Sequence, residues 1–269
     1  MLPRSCTGRG ASRSLDGAAP AGPFTRFHDL EATASASSPE FKSAVVAQLE
    51  PMWRKAFIAK VYCLLAVMIL LTVVISFCMM YFGGYQLYAW TMYEGAWTRL
   101  VAVVGSIGLI CALFAKKNEF PQNLVLLGCL TSCLAYTIGV TCTAYAAAGL
   151  QMLVLEAFAI TSIVFVGLTV FAMVSKIDFS FLGLILPVLL LALIVWGFFA
   201  MFAFDGFAFR QVYALGGTVI FSLYVLYDTW MIVNVLTYDD YVLGAVNLYL
   251  DFINIFIFIL QMLSGGRRD

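Results

Sequence analysis

The sequence predicts an all-α integral membrane protein, a seven-transmembrane-helix bundle. Three observations carry that reading. The chain is 63% hydrophobic and only 11% charged, whereas soluble domains run at about 45–50% apolar and about 25% charged. Apolar runs of the length that crosses a bilayer, about 20 residues, recur seven times from residue 57 onward. The polar stretches between them are too short to hold a domain of their own. Lipid cannot satisfy the backbone of open strands, so the spanning elements are helices.

The seven spans read as 57–82, 98–115, 122–147, 153–174, 179–203, 210–235 and 242–263. They are separated by "FGGYQLYAWTMYEGAW", "AKKNEFPQN", "AAAGLQ", "SKID", "FDGFAFR" and "LTYDDY". Connections this short make neighbouring spans antiparallel. Pro187, inside the fifth span, is expected to kink it. The organisation that follows is a disordered cytosolic tail over 1–52, a membrane domain over 53–264 and a short C-terminal tail over 265–269.

Basic residues orient the bundle. Lys42, Arg54, Lys55, Lys60, Lys116, Lys117 and Lys176 fall on one side. Arg99 and Arg210 fall on the other, joined by Arg267 and Arg268 if the last segment spans fully. The N-terminus is therefore expected in the cytosol. The terminal "GGRRD" fits a re-entrant last segment as well as a seventh span. Lys60 can snorkel to the cytosolic edge.

Residues 1–50 are rich in Ser, Ala, Gly, Pro and Arg, and show no apolar core of a secretory signal. They read as disordered. A mitochondrial targeting segment is the sharper alternative, with Arg4, Arg9 and Arg13 ahead of the first acid, but Asp29 and Glu31 oppose a long one. The seven cysteines show no metal-ligand spacing and read as small apolar filler. The one histidine, His28, lies in the tail, so a histidine-based catalytic or metal site is not expected. Zero net charge gives no sign of nucleic-acid binding. No cofactor is expected.

Two acids stand out. Asp228 lies about two turns before the cytosolic end of span six, and Asp251 nine residues after the start of span seven. At about 1.5 Å rise per residue, both lie roughly 10–14 Å from the same face. A single charge at mid-span costs about 2.5–3.5 kcal/mol. Two at matched depth on antiparallel neighbours point to a pore, a cavity or a shared proton. Asn247, Asp251 and Asn254 follow i, i+4, i+7 spacing and form one polar stripe. Tyr249, Phe252, Phe256 and Leu260 lie opposite, facing lipid or packed. Tyr224 stands one turn from Asp228. Asn247, Asn254 and Tyr224 are thus candidate pore-lining groups. Glu156 and Arg99, each near the outer edge, are a candidate charged pair, with simple solvation as the alternative. The plain structural account of the acids is an interhelical clamp. Polar bonds within membranes average under about 1 kcal/mol, too little to offset two acids.

The pieces "WRKAFIAKVYCLLAVMILLTV", "NEFPQNLVLLGCLTSCLAYTIG", "VLEAFAITSIVFVGLTVFAMVSKIDFS", "YALGGTVIFSLYVLYDTWMI" and "YVLGAVNLYLDFINIFIFILQMLS" resemble, in order, the transmembrane Bax inhibitor motif family. They are most similar to its lifeguard subgroup. The most specific pieces, "SLYVLYDT" and "NLYLDFINIF", hold the two acids. The resemblance implies a seven-helix calcium-permeable leak in an intracellular membrane, with a protective effect against cell death. It implies further that Asp228 and Asp251 form a pH-sensitive latch. The tail is not Pro/Gly/Tyr-rich as in many animal lifeguards, and span two has no basic residue at its middle.

The leading expectation is a pH-sensitive calcium leak of the endoplasmic reticulum or Golgi. The mitochondrial inner membrane and the plasma membrane are alternatives. Two close carboxylates at low dielectric titrate as a unit, and ionised they offer calcium transient hard oxygen ligands. Calcium ions, the lipid bilayer and cell-death regulatory membrane proteins are the expected partners. The competing readings are a non-conducting membrane protein acting through partner binding, and an intramembrane aspartyl protease. The protease needs a Gly-rich "GxGD" and a "PAL" motif. The chain has "LYLD" at Asp251 and no "PAL", so an enzyme is not expected.

Overall fold

The computed structural model describes residues 39–116, 119–202 and 207–265. The expectations for the tail before Pro39, for Lys117 and for Arg267 and Arg268 fall outside the described residues. The chain divides into two units between Trp53 and Arg54. Of the first unit, the helical residues from Pro39 are described. The second unit holds the membrane helices.

Helix α1 (Pro39–Cys78) leads through a π turn (Met79–Gly83) into α2 (Gly84–Met92). There follow α3 (Ala96–Ala115), α4 (Gln122–Ala147), α5 (Gln151–Val174), α6 (Leu182–Phe202) and α7 (Phe207–Asn234). A 3-10 turn (Tyr238–Asp240) leads into α8 (Tyr241–Gly265). Seven stretches among the described residues are long and apolar enough to cross a membrane, and no strand occurs there. The protein is a multi-pass, all-α membrane protein, as the apolar runs require.

One expected break is helical. The residues of "FGGYQLYAWTMYEGAW" do not form a plain loop: Gly84 takes φ +49°, and the chain then restarts as α2. Glycine meets that positive φ without a Cβ penalty, and the aromatic stretch after it packs on α3 and α4.

The other connections follow from local chemistry. After α4, Gly149 adopts φ +78°, its N–H donates to Ala146 O at 2.9 Å, and Leu150 N–H donates to Tyr145 O at 2.9 Å. This is a Schellman closure, which satisfies carbonyls that the helix end leaves open. In "SKIDFS", Ser175 Oγ accepts from Ile177 N–H at 3.1 Å and Asp178 Oδ1 from Ser180 N–H at 2.9 Å. Those side-chain turns hold the chain until α6 begins. Pro187 lies inside α6, which continues past it to Phe202.

Helix α8 is the enclosed one: 72% of its membrane window is buried, against 11% for α3. Helices α4, α5 and α7 pack on it. The α7–α8 seam is tight because Gly217 has no side chain. A Cβ there would meet the Phe258 ring at 2.5 Å. Phe258 also stacks on Phe221 and meets Tyr213 edge-on.

Candidate functional site

Asp228 arises from the second half of α7 and Asp251 from the facing part of α8. The short connection between these helices makes them antiparallel neighbours, so the two acids reach the same level. Asp228 is 6% exposed and Asp251 4%. Their one-turn neighbours Val225, Ile232, Leu248 and Ile255 are fully enclosed. Within this apolar wall the two carboxyl groups face each other within side-chain hydrogen-bonding reach. An ionised carboxylate only accepts, so a bond between them requires a proton on one of them. Asp251 Oδ2 is buried and has no hydrogen-bond partner.

Hydroxyl groups flank the pair. Thr229, next to Asp228, is fully buried, and its Oγ1 lies 3.4 Å from Tyr62 Oη on α1. Tyr224 lies within electrostatic reach of both acids and packs against Phe221. Of the expected stripe on α8, Asp251 is buried while Asn247 and Asn254 are half-buried. Asn254 Nδ2 donates at 2.7 Å to Leu250 O in its own helix. On the opposite side Tyr249, Phe252, Phe256 and Leu260 are all buried. They are packed, not lipid-facing.

Glu156 is exposed on α5, and Arg99 is half-buried on α3 with its Nε lacking a hydrogen-bond partner. Helix α3 packs on α2 and α4, whereas α5 packs on α4, α7 and α8. Among the described residues, no group of three or more His, Cys, Asp or Glu side chains gathers into a metal site. Calcium takes about 6–8 oxygens. Two carboxyls therefore suit a passing ion that keeps part of its water shell.

Two cationic contacts carry no local signal in the sequence. Arg54 Nη1 donates to Leu236 O at 2.8 Å, and the guanidinium sits 5.8 Å from the Tyr238 ring centre. It caps the end of α7, where a cation meets unsatisfied carbonyls. Lys60 Nζ lies 3.3 Å from the centre of the Tyr241 ring, a cation–π contact. Both tie the Arg54–Lys60 stretch of α1 to the α7–α8 connection, about two to three turns from the carboxyl pair.

Residues 54–269 match the family model described as "Inhibitor of apoptosis-promoting Bax1". Mouse "Protein lifeguard 4" is 35% identical over 215 residues, covering 80% of this chain and 87% of its own. "Protein LIFEGUARD 3" of Arabidopsis thaliana is 32% identical over 249 residues, 90% of this chain and 97% of its own. The "Golgi anti-apoptotic protein" of Vaccinia virus (strain Lister) is 33% identical over 216 residues, 80% of this chain and 87% of its own.

Proposed function

Because the chain belongs to the Bax inhibitor family, in its lifeguard subgroup, we propose that it protects against cell death as a pH-sensitive cation leak, conducting calcium across an intracellular membrane. The vaccinia relative is named a Golgi anti-apoptotic protein, which supports the Golgi, with the endoplasmic reticulum beside it, as the place of action. Calcium is the transported ion, and cell-death regulators of the same membranes are the partners that register the change in stores.

The observation that carries this reading is the burial of the Asp228 and Asp251 carboxyl groups within side-chain hydrogen-bonding reach of each other. With one proton between them, the pair joins α7 to α8. With none, two like charges face each other at low dielectric and repel. With two, a bond between neutral carboxyls lacks the charge assistance of the singly protonated pair and is weaker. The proton count of this one pair therefore changes how the seam is held, and the seam lies along the most enclosed helix of the bundle. The same oxygens, once ionised, face any cation that enters.

The surroundings of Asp251 lend proteolysis no support. Helix α8 runs unbroken through Asp251, and Leu248 and Tyr249 beside it are fully buried, so no bare backbone awaits a substrate strand. The test of the leak is calcium flux from liposomes holding the purified protein, measured at several pH values. Flux that varies with pH supports the reading. Liposomes that stay tight at every pH overturn it in favour of a non-conducting protein that acts by binding partners.

A further inference from the structure

A second feature lies on the other face of α8. Tyr249, Phe252, Ile253 and Phe256 line a cavity of about 110 Å³. At about 100° per residue, these positions lie roughly 100–200° around the helix from Asp251, so the cavity is separate from the carboxyl pair. Its remaining walls come from α1, α4 and α5, through residues such as Ile69, Ser76, Ile138, Cys142 and Val154.

The cavity has a deep end and a mouth. Tyr249 is fully enclosed, Cys142 is 2% exposed and Ile138 5%. On α1 and α5, by contrast, Val73, Phe77 and Leu155 are 37%, 49% and 55% exposed. These mouth residues lie on the membrane-spanning surface, so the opening is sideways, into the bilayer. The end away from the cytosol is pinched. A Cβ at Gly139 of α4 would meet Met79 Sδ at 2.5 Å and Ser76 Cα at 3.4 Å, so α1 and α4 touch there.

Chemistry selects the occupant. The inner polar groups are spent on each other: Thr72 Oγ1 lies 2.7 Å from Tyr249 Oη and donates to Met68 O at 2.9 Å. Water needs two to four polar partners to stay in a cavity, and among the described lining atoms Ser76 Oγ is the one buried without a hydrogen-bond partner. Packed interiors leave few voids of this size unfilled. A comparable engineered cavity of about 150 Å³ stays dry and takes an apolar guest. The medium at the mouth is hydrocarbon. We propose that this pocket is a lateral lipid site that takes one acyl chain of a bilayer glycerolipid from the leaflet opposite Arg54 and Lys60. The chain end fills the deep part against Tyr249. Ser76 stands toward the headgroup side, where the lipid's ester carbonyl supplies the acceptor that its hydroxyl lacks.

The probe is a phosphatidylcholine with a photoactivatable diazirine near the end of one acyl chain, mixed into nanodiscs holding the full chain. After irradiation, adducts are mapped by peptide mass spectrometry. The expected result is enrichment on the lining segments of α1, α4 and α5 over Leu184, an 83% exposed residue of α6. Val154→Phe fills the deep end and should lower pocket adducts several-fold while leaving Leu184 labelling unchanged. Val73→Trp screens the mouth without entering the core and should do the same, which keeps the test valid if the first variant folds poorly. Equal labelling of pocket and Leu184, or labelling unmoved by either folded variant, overturns the proposal and leaves ordinary surrounding lipid. Crosslinks between two copies through the mouth residues also overturn it, in favour of a protein interface.

Discussion

The carboxyl groups of Asp228 and Asp251 face each other within hydrogen-bonding reach in a seam that exposes neither by more than 6%. Removing one partner therefore does more than delete a contact. In Asp228→Ala, the Asp251 carboxyl keeps its burial and loses its only described side-chain partner. Leaving a buried polar group unsatisfied costs about 1–3 kcal/mol. Asp228→Asn retains a donor and nearly the same shape. Thermal unfolding in detergent should place the Ala variant below wild type by that amount and the Asn variant close to wild type. Equal stability of Ala and wild type would mean the pairing contributes nothing to the seam.

Arg54 should act as the cap of α7. Its bond to Leu236 O at 2.8 Å joins residues far apart in the chain. Charge at a helix C-terminus contributes about 0.3–1 kcal/mol at exposed sites, and Arg54 is only half-buried. Arg54→Gln should lower stability by about 1 kcal/mol, with Arg54→Lys recovering part of it. The reading is again a melting curve, compared with Lys55→Gln, whose parent side chain is exposed. A Lys55 variant as damaging as the Arg54 one would contradict the cap.

Thr72 and Tyr249 should behave as one unit. Their hydroxyls lie 2.7 Å apart, and Thr72 also bonds Met68 O. Thr72→Val and Tyr249→Phe each remove the same hydrogen bond. Each should cost under about 2 kcal/mol, and the double variant should cost less than the sum, because the shared bond is lost once. Strict additivity in a double-mutant cycle would show that the two hydroxyls do not support each other.

The spans and the acid pair were legible for the same reason. Lipid demands long apolar runs, so seven runs predict seven spans. A charge inside a run is an exception that needs a partner at its own depth, which short loops let one compute. Most span edges fell within a few residues, except that α1 begins at Pro39, well ahead of the expected span start at 57, and 84–92 is helical. There "FGG" reads as a break, but Gly84 at positive φ lets the aromatic stretch after it restart as α2. The Arg54–Leu236 and Thr72–Tyr249 bonds were not legible. Their partners are 182 and 177 residues apart, so no spacing rule connects them. The cavity beside Tyr249 was equally hidden. A void is made by how four helices meet, and periodicity shows which face is apolar without showing how closely it is filled. For that reason Tyr249, Phe252, Phe256 and Leu260 stood open between lipid and core until the packing was seen.

Topology is testable on both ends. The basic asymmetry predicts a cytosolic N-terminus. Helix α8 runs unbroken over Tyr241–Gly265, about 37 Å at 1.5 Å per residue, enough to cross a hydrocarbon core of about 30 Å. That length favours a full seventh span over a re-entrant one. In sealed intracellular vesicles, added protease should remove a tag placed before Arg54 and spare a tag after Asp269. A spared N-terminal tag would overturn the orientation, and a cleaved C-terminal tag would restore the re-entrant alternative.

The latch itself makes the sharpest prediction. If Asp228 and Asp251 share one proton, neither titrates alone, and the pH response of the flux belongs to the pair. Asp228→Asn leaves a single buried acid bonded to an amide, so no proton is shared. Most of the pH dependence in liposome flux should vanish, and Asp251→Asn should remove it equally. The double Asn variant should resemble the singles, because one coupled unit has been removed once. Asn254→Ala should leave the pH response in place, since Asn254 donates to Leu250 O within its own helix. Glu156→Gln should do so too, because Glu156 is exposed on α5. A double Asn protein that keeps the wild-type pH profile would reduce the carboxyl pair to an interhelical clamp, and the pH response would have to arise from a group outside the α7–α8 seam.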